Sequence, residues 1–221
     1  MYFWSSAQFP EILIALIVAF VVTIVSIKLL YPFAGQIGLI DHPTERKYHA
    51  QKTPLIGGIA MFTGLAFGLV IMPIDLNILK GYFLALMLIV VLGMIDDYHP
   101  QSHWLRLFFQ LIAGLILINV SGIQIYSLGN LFGTGDLILG ISSILITIVA
   151  VAGAINAINF IDGVDGVAGS VSLVTIVSII FLSYNSIDSI FVQLALLILI
   201  VLMPFMFFNL RKKNKIFMGD A

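Results

Sequence analysis

Charged side chains divide this chain into long apolar runs. No Asp, Glu, Lys or Arg occurs in Ile12–Ile27, Thr53–Ile74, Gly81–Ile95, Leu107–Gly135, Leu137–Ile161, Gly166–Ile187 or Ser189–Leu210. A membrane-crossing helix needs about 20 mostly apolar residues, so each run predicts one helix and the chain predicts an all-α, polytopic membrane bundle of seven. The fourth run is longer than one helix. Its second half, Ser121–Asp136, carries Gly122, Gly129, Gly133 and Gly135, which predicts a small hairpin between helices four and five. Glu11 and the polar stretch Ser5–Gln8 precede the first run with no basic segment or small-residue cleavage site, so that run reads as a retained helix and not a removed signal peptide.

Composition agrees with the pattern. The 221 residues are 61% hydrophobic and 10% charged, with a mean hydropathy of +1.14, whereas an ordinary soluble domain is about 25% charged. A soluble enzyme is excluded, because so apolar a surface would aggregate in water. Ten bases against eleven acids argue against nucleic acid as a partner, and the absence of cysteine excludes disulfides, thiol nucleophiles and thiolate metal sites. No internal repeat or linker divides the sequence, so residues 1–221 read as one membrane domain.

The bases supply an orientation. Threading seven spans alternately puts Lys28, Arg46, Lys47, Lys52, Arg106, Arg211, Lys212, Lys213 and Lys215 on one side and Lys80 on the other. Lys and Arg collect on the cytoplasmic side, which places the N-terminus outside and the C-terminus in the cytoplasm. Asp41, Glu45, Asp96, Asp97, Asp162, Asp165 and Asp220 fall on that same face, as do His42, His49, His99 and His103.

Four segments of that face carry the candidate chemistry. Gly38–Gly58, GLIDHPTERKYHAQKTPLIGG, reads either as a loop that only fixes topology or as a phosphate clamp in which Arg46, Lys47, His49 and Lys52 counter a polyphosphate, with Gly57 and Gly58 admitting a close backbone approach. Gly93–Asp97, GMIDD, pairs two carboxylates at a helix end; a solvated helix terminus explains them, and so does a bound cation that relieves their repulsion. His99 and His103 read as exposed loop residues, and Trp104 as an interfacial anchor. Asn156–Gly166, NAINFIDGVDG, interrupts an apolar helix with two amides and two acids. Facing lipid they would cost several kcal/mol each, so they predict a polar cavity. One Asp-Gly step is a turn; two, with Asn156 and Asn159 upstream, exceed what a turn requires. Arg211–Asp220, RKKNKIFMGD, is a basic exit that suits lipid headgroups and adds a fifth carboxylate.

Asp96, Asp97, Asp162, Asp165 and Asp220 with a cluster of cations on one face describe a site for a hard cation and a phosphorylated substrate. Mg²⁺, with Mn²⁺ as the alternative, takes one or two carboxylates and completes its shell with water and phosphate oxygens. Those are the needs of phosphoryl transfer from a cytoplasmic donor to a membrane lipid. A channel or transporter with ion- or proton-carrying acids is the rival reading, against which stand the clustering of the acids at one face and the lack of an inverted repeat.

These motifs, GLIDHPTERKYH, PLIGG, GMIDD, NAINFIDGVDG and FMGDA in that order, resemble the polyprenyl-phosphate N-acetylhexosamine-1-phosphate transferases, glycosyltransferase family 4. The loop form Arg-Lys-x-His, NAINFIDGVDGVAGS and SLGNLFG look like its UDP-N-acetylglucosamine enzymes more than its muramoyl-pentapeptide transferases, whose loop is closer to KKGTPTMGG. The resemblance implies reversible, Mg²⁺-dependent transfer of N-acetylglucosamine-1-phosphate from UDP-N-acetylglucosamine to undecaprenyl phosphate with release of UMP, at the cytoplasmic face of a bacterial inner membrane, in O-antigen, common-antigen or related envelope polymer synthesis. Another UDP-N-acetyl sugar is the alternative donor. It further implies Asp220 and Asp97 at the metal, Asp96 and Asp97 as the acidic pair that deprotonates the lipid phosphate or assists the metal, and Asp162 at the reaction centre. Asp165, Asn159 and Asn156 would lie near the nucleotide, and Lys52, His49 and Arg46 on phosphate. Direct attack and an aspartyl intermediate both remain open, as does a homodimer. The family continues past MGDAGS with further helices and a His-rich loop, whereas this sequence stops at Ala221. The expectation is therefore a C-terminally truncated chain with weak or no turnover on its own.

Overall fold

A computed structural model of the protein describes residues 9–41, 52–74, 76–183 and 189–221. Within them the chain forms α1 (Phe9–Leu30), β1 (Ile40–Asp41), β2 (Thr53–Pro54), α2 (Gly57–Ile71), α3 (Leu76–Tyr98), α4 (His103–Ser121), α5 (Ser142–Ile161), α6 (Val167–Ser183) and α7 (Ser189–Asn209). Apart from the two-residue strands, which pair antiparallel with Ile40 opposite Pro54, every regular element is helical. The expected seven helices are present. Five of them, α1, α3, α4, α5 and α7, are long and apolar enough to cross a membrane, so the chain is a membrane protein. At about 1.5 Å per residue, the 15 residues of α2 and 17 of α6 fall short of a hydrocarbon core about 30 Å thick.

Two helices begin several residues inside the uncharged runs that predict them. Thr53 and Pro54 are strand, and α2 begins only at Gly57, because the preceding backbone is held by β1 and by the C-terminal segment. Likewise Leu137 does not open α5. The amide of Leu128 donates to the Leu137 carbonyl (3.0 Å), that of Leu137 to Gly129 (3.0 Å) and that of Leu139 to Tyr126 (2.9 Å), so residues 126–139 make the hairpin that the glycines announce and α5 starts at Ser142. A short apolar run has no periodicity to separate strand from helix. α4 ends where it should: Gly122 adopts φ 67° and its amide closes the last turn on Ile118 and Leu117, a left-handed cap that favours glycine.

Packing is set by small residues. α1 makes its most extensive contact with α2, and α3 with α4; α7 joins α1, α2 and α6. Gly64 of α2 lies so close to α1 that a Cβ there would overlap the Thr23 hydroxyl and press on the Ala19 carbonyl, and Gly68 abuts Ala19 and Leu197. Within lipid, where hydrophobicity does not hold helices together, such close backbone approach is what does. Thr23 is fully buried and returns its hydroxyl proton to Ala19 at 2.7 Å. The apolar core of Ile12, Ala15, Ala19, Leu65, Leu69, Leu197 and Val201 fills the space around this seam. Outward positions are apolar too, Leu145, Val174, Phe181 and Leu182 among them, as a lipid-facing surface requires.

The segment after α7 folds back onto the bundle. Phe217 donates to the Pro54 carbonyl (2.8 Å), while the amides of Gly57 and Gly58 donate to Phe217 (2.9 Å) and Met218 (2.8 Å). This short parallel bridge satisfies the first amides of α2, which have no partner inside their own helix. Asn209 ties the same segment to α6: buried at the end of α7, it donates to the Ile216 carbonyl (2.9 Å) and accepts from the Gly166 amide (2.9 Å). Gly64→Ala is expected to destabilise the fold by about 1–3 kcal/mol through overpacking of the α1–α2 seam, seen as a fall of several degrees in the unfolding temperature in detergent. An unchanged midpoint would mean that the seam is looser than described.

Candidate functional site

The inner ends of α3 and α5, the start of α4 and the C-terminal segment meet around one cleft with about 390 Å³ of open space. α3 contributes Asp96 and the apolar wall Ile89, Leu92 and Gly93; α4 contributes Arg106 and Gln110, one turn apart; α5 contributes Ile155, Asn156 and Asn159, three residues apart; Asp220 closes the rim. In α4 and α5 the polar residues are i, i+4 and i, i+3 neighbours, so they share a face. The site lies at that end of the bundle where the sequence concentrates acids and bases.

A hydrogen-bonded chain links the carboxylates. The Asp220 amide donates to Asp97 Oδ1 at 2.8 Å, and Asn159 Nδ2 donates to Asp220 Oδ1 at 2.6 Å. Arg106 Nη1 reaches Asp96 Oδ2 at 2.9 Å and Asp220 Oδ2 at 3.4 Å, while Asp96 Oδ1 accepts from the Gln101 amide at 2.6 Å. Deeper along the helices Asn156 donates to Gln110 Oε1 at 2.6 Å and to its own helix at Ala152. A buried amide, Gln110, and a half-buried one, Asn156, satisfy each other there, as the cost of an unpaired polar group in such a setting demands.

Asp220 reaches this position because glycines give way to it. A Cβ on Gly93 would overlap the Asp220 carbonyl, one on Gly58 the Ala221 carbonyl, and one on Gly57 the Phe205 ring. Gly219 itself has φ 80° and sits against the Asp97 carboxylate, a conformation and a space that both favour glycine. The expected close approach at Gly57-Gly58 is therefore present, and what approaches is the chain's own segment 217–221.

Outside the helices the acids ionise reluctantly. Burial pushes the Asp162 carboxyl up to about 6, with the charges of Asp220 and Asp165 adding to the effect. Asp220 is likewise raised to about 6, first by desolvation and then by a hydrogen bond and charge from Asp96, against which Asn159 and Arg106 pull it down. The one guanidinium that reaches Asp220 among the described residues does not offset this cost. Asp97 Oδ2 is buried with no hydrogen-bond partner among the described residues, and an orphaned carboxylate oxygen beside Asp220 suits a hard cation. No three His, Asp or Glu side chains among the described residues stand as a ready coordination set, but an ion of the Mg²⁺ kind needs one or two carboxylates and takes its remaining oxygens from water and phosphate. Asp97 and Asp220 fit that donor set.

Of the residues expected from sequence, the structure brings together Asp96, Asp97, Asn156, Asn159 and Asp220, with Asp162 near enough for its charge to feel Asp220. Asp165 turns aside to pair with Lys215. Lys52 stands exposed just before β2 and forms no hydrogen bond or ion pair with these carboxylates among the described residues. Arg46 and His49 lie outside the described residues. His99 and His103 are exposed, but His103, expected in a loop, opens α4, because Ser102 caps the helix there, and its Nδ1 lies 3.0 Å from Arg106 Nη2. Sequence reasoning missed Arg106 as a site residue, counting it only as a topological charge, and missed Gln110, Asn209 and Lys215. Gln110 had a signal: it is an amide inside the apolar run of α4, one turn from Arg106.

Residues 79–221 match glycosyl transferase family 4, well over half of the chain. The undecaprenyl-phosphate alpha-N-acetylglucosaminyl 1-phosphate transferase of Yersinia pestis is 35% identical over 118 residues, 53% of this chain and 32% of the relative. That of Pasteurella multocida is 35% identical over 136 residues, 61% of this chain and 38% of the relative; that of Haemophilus influenzae is 30% identical over 138 residues, 62% and 39%. The matches span between about a third and two fifths of these curated relatives' length.

The raised carboxyl of Asp162 fixes the sign of a pH effect. Folding favours its protonated form, so its stabilising contribution is whole below the ordinary value near 4 and is lost as pH rises through about 6. In cation-free detergent, Asp162→Asn is expected to unfold at a higher temperature than the wild type at about pH 7.5, and to show no such advantage at about pH 4. A difference in midpoint that stays constant between the two would contradict the assignment.

Proposed function

The chain belongs to glycosyl transferase family 4, and from that premise we propose that its cleft serves transfer of N-acetylglucosamine-1-phosphate from UDP-N-acetylglucosamine to undecaprenyl phosphate, releasing UMP. The observation that carries this reading is the meeting of Asp97, Asp220 and Asn159, from three separate sequence motifs, through hydrogen bonds of 2.8 and 2.6 Å. The name of the relatives supports the same transferred group and acceptor.

In the transfer, an oxygen of the lipid phosphate bonds to the phosphorus next to the sugar, and the bond from that phosphorus to the bridging oxygen of UMP breaks. One phosphoanhydride replaces another, so the step is near balance in either direction. Asp97 and Asp220 would hold a Mg²⁺ ion, or Mn²⁺ in its place, which when bound supplies charge neutralisation to the diphosphate and the departing UMP. Asp96 on the cleft wall and the adjacent Asp97 would accept a proton from the lipid phosphate, and Asp162 would act at the reacting centre. Asn159 would offer its second amide hydrogen to the sugar nucleotide, and Asn156, whose own amide hydrogens go to Gln110 and Ala152, its carbonyl oxygen, with Asp165, now paired with Lys215, near the nucleotide; Arg46, His49 and Lys52 from the first loop would add phosphate contacts. Apolar Ile89, Leu92 and Ile155 on the same cleft suit the first isoprene units of a lipid.

The excess of bases at this end of the bundle supports a cytoplasmic site in a bacterial inner membrane, with seven helices threaded from an external N-terminus. Spans as short as α2 and α6 would be accommodated by local thinning of the bilayer.

Ligand binding tests the reading ahead of turnover. With Mg²⁺ present, saturating UDP-N-acetylglucosamine at about 100 times its dissociation constant is expected to raise the unfolding temperature by roughly 5–10 °C, with UDP-glucose less effective and Asp220→Ala abolishing the shift. Any label passing from the sugar nucleotide into butanol-extractable lipid should be matched by UMP, and Asp97→Asn should reduce that transfer by about 10²-fold or more. A larger shift with another UDP-N-acetyl sugar would change the donor. No shift with any UDP-sugar would overturn the proposal.

A further inference from the structure

Among the described residues lining the cleft, Arg106 is the only base. Its guanidinium bridges the two aspartates that flank Asp97 in space, touching Asp96 Oδ2 at 2.9 Å and Asp220 Oδ2 at 3.4 Å. The other oxygen of each is already engaged, Asp96 Oδ1 by the Gln101 amide and Asp220 Oδ1 by Asn159. The oxygen left over among the described residues is Asp97 Oδ2. A divalent cation drawn to Asp97 and Asp220 therefore meets a side of Asp220 that a positive charge already occupies. Two cations on one carboxylate a few ångströms apart repel strongly in a half-buried setting.

Arg106 has somewhere to go. It stands in the first turn of α4, a quarter exposed (27%), on a flexible stem, and its second nitrogen already points to exposed His103 at 3.0 Å. A guanidinium released from Asp220 presents a planar pair of donors at the cleft, the geometry that suits phosphate oxygens.

We propose that Arg106 is an internal stand-in for the divalent cation: it holds Asp96 and Asp220 together while the site is cation-free, yields Asp220 when the ion binds, and then binds a substrate phosphate. This rests on the cation-dependent reading of the site given above, and makes Arg106 a positioning and phosphate-binding residue. It also explains why a base sits where three acids would otherwise repel one another, yet is too few to neutralise them.

The exchange is tested on the whole chain in nanodiscs without substrate, with Mn²⁺ binding followed by electron paramagnetic resonance. Arg106→Gln is expected to bind Mn²⁺ about tenfold tighter than the wild type, because the competing charge is gone, and Arg106→Lys within a few-fold of it. Equal or weaker binding by Arg106→Gln overturns the proposal while leaving the cation-dependent site intact; no binding by any of the three removes that site as well. Should Arg106→Gln fail to fold, the wild type answers alone. Modification of Arg106 by phenylglyoxal, located by mass spectrometry, is expected to accelerate several-fold when Mg²⁺ is added, and a rate unchanged or slowed by Mg²⁺ overturns the exchange.

Discussion

Asp220 can lie against Asp97 only because the backbone of residues 217–221 passes between the start of α2 and the inner end of α3, where Gly57, Gly58 and Gly93 carry no Cβ. The amides of Gly57 and Gly58 grip the carbonyls of Phe217 and Met218, and the Asp220 amide then meets the Asp97 carboxylate. A side chain at Gly58 or Gly93 would displace this backbone and with it the carboxylate. Helix packing serves the same arrangement. α7, whose Asn209 fixes both Gly166 and Ile216, carries the segment back to the bundle, and the close α1–α2 seam holds α2 where its first amides can receive it.

Electrostatics follow from that geometry. Asp96, Asp97 and Asp220 are drawn together beside apolar Ile89 and Leu92, with one guanidinium among them. Burial and mutual repulsion keep Asp162 and Asp220 well above the ordinary carboxylate range. A soluble surface would relieve the strain by solvation; the end of a membrane bundle has less water to offer, so the relief must come from a counter-ion or from protonation. The same scarcity pairs Gln110 with Asn156 across α4 and α5.

Much of this was legible in the residues. The uncharged runs located all seven helices, since an apolar stretch of that length has no other stable conformation in lipid, and the glycines of Ser121–Asp136 marked a hairpin. Five candidates came together in or beside one cleft because motifs at alternate helix ends share one side of a bundle. Boundaries were less legible. Thr53–Pro54 and Leu137 read as helix by hydropathy, but their backbones pair with distant segments. Asp165 looked like its neighbour Asp162, yet Lys215 takes it, and no local pattern distinguishes an acid that meets a base from one that does not.

What the sequence determined by itself is therefore what depends on transfer between water and lipid: that the chain is a helical membrane protein, where its helices lie, and which end gathers the charge. Hydropathy is a property of each residue and needs no partner. Tertiary structure alone decided the rest: that the MGD segment lodges between Gly58 and Gly93, that Asp97 keeps an oxygen without a partner among the described residues, and that Arg106, 114 residues from Asp220, stands between it and Asp96. Hydrogen bonds and charge pairs act over a few ångströms, so they exist only once folding has brought distant residues within that reach.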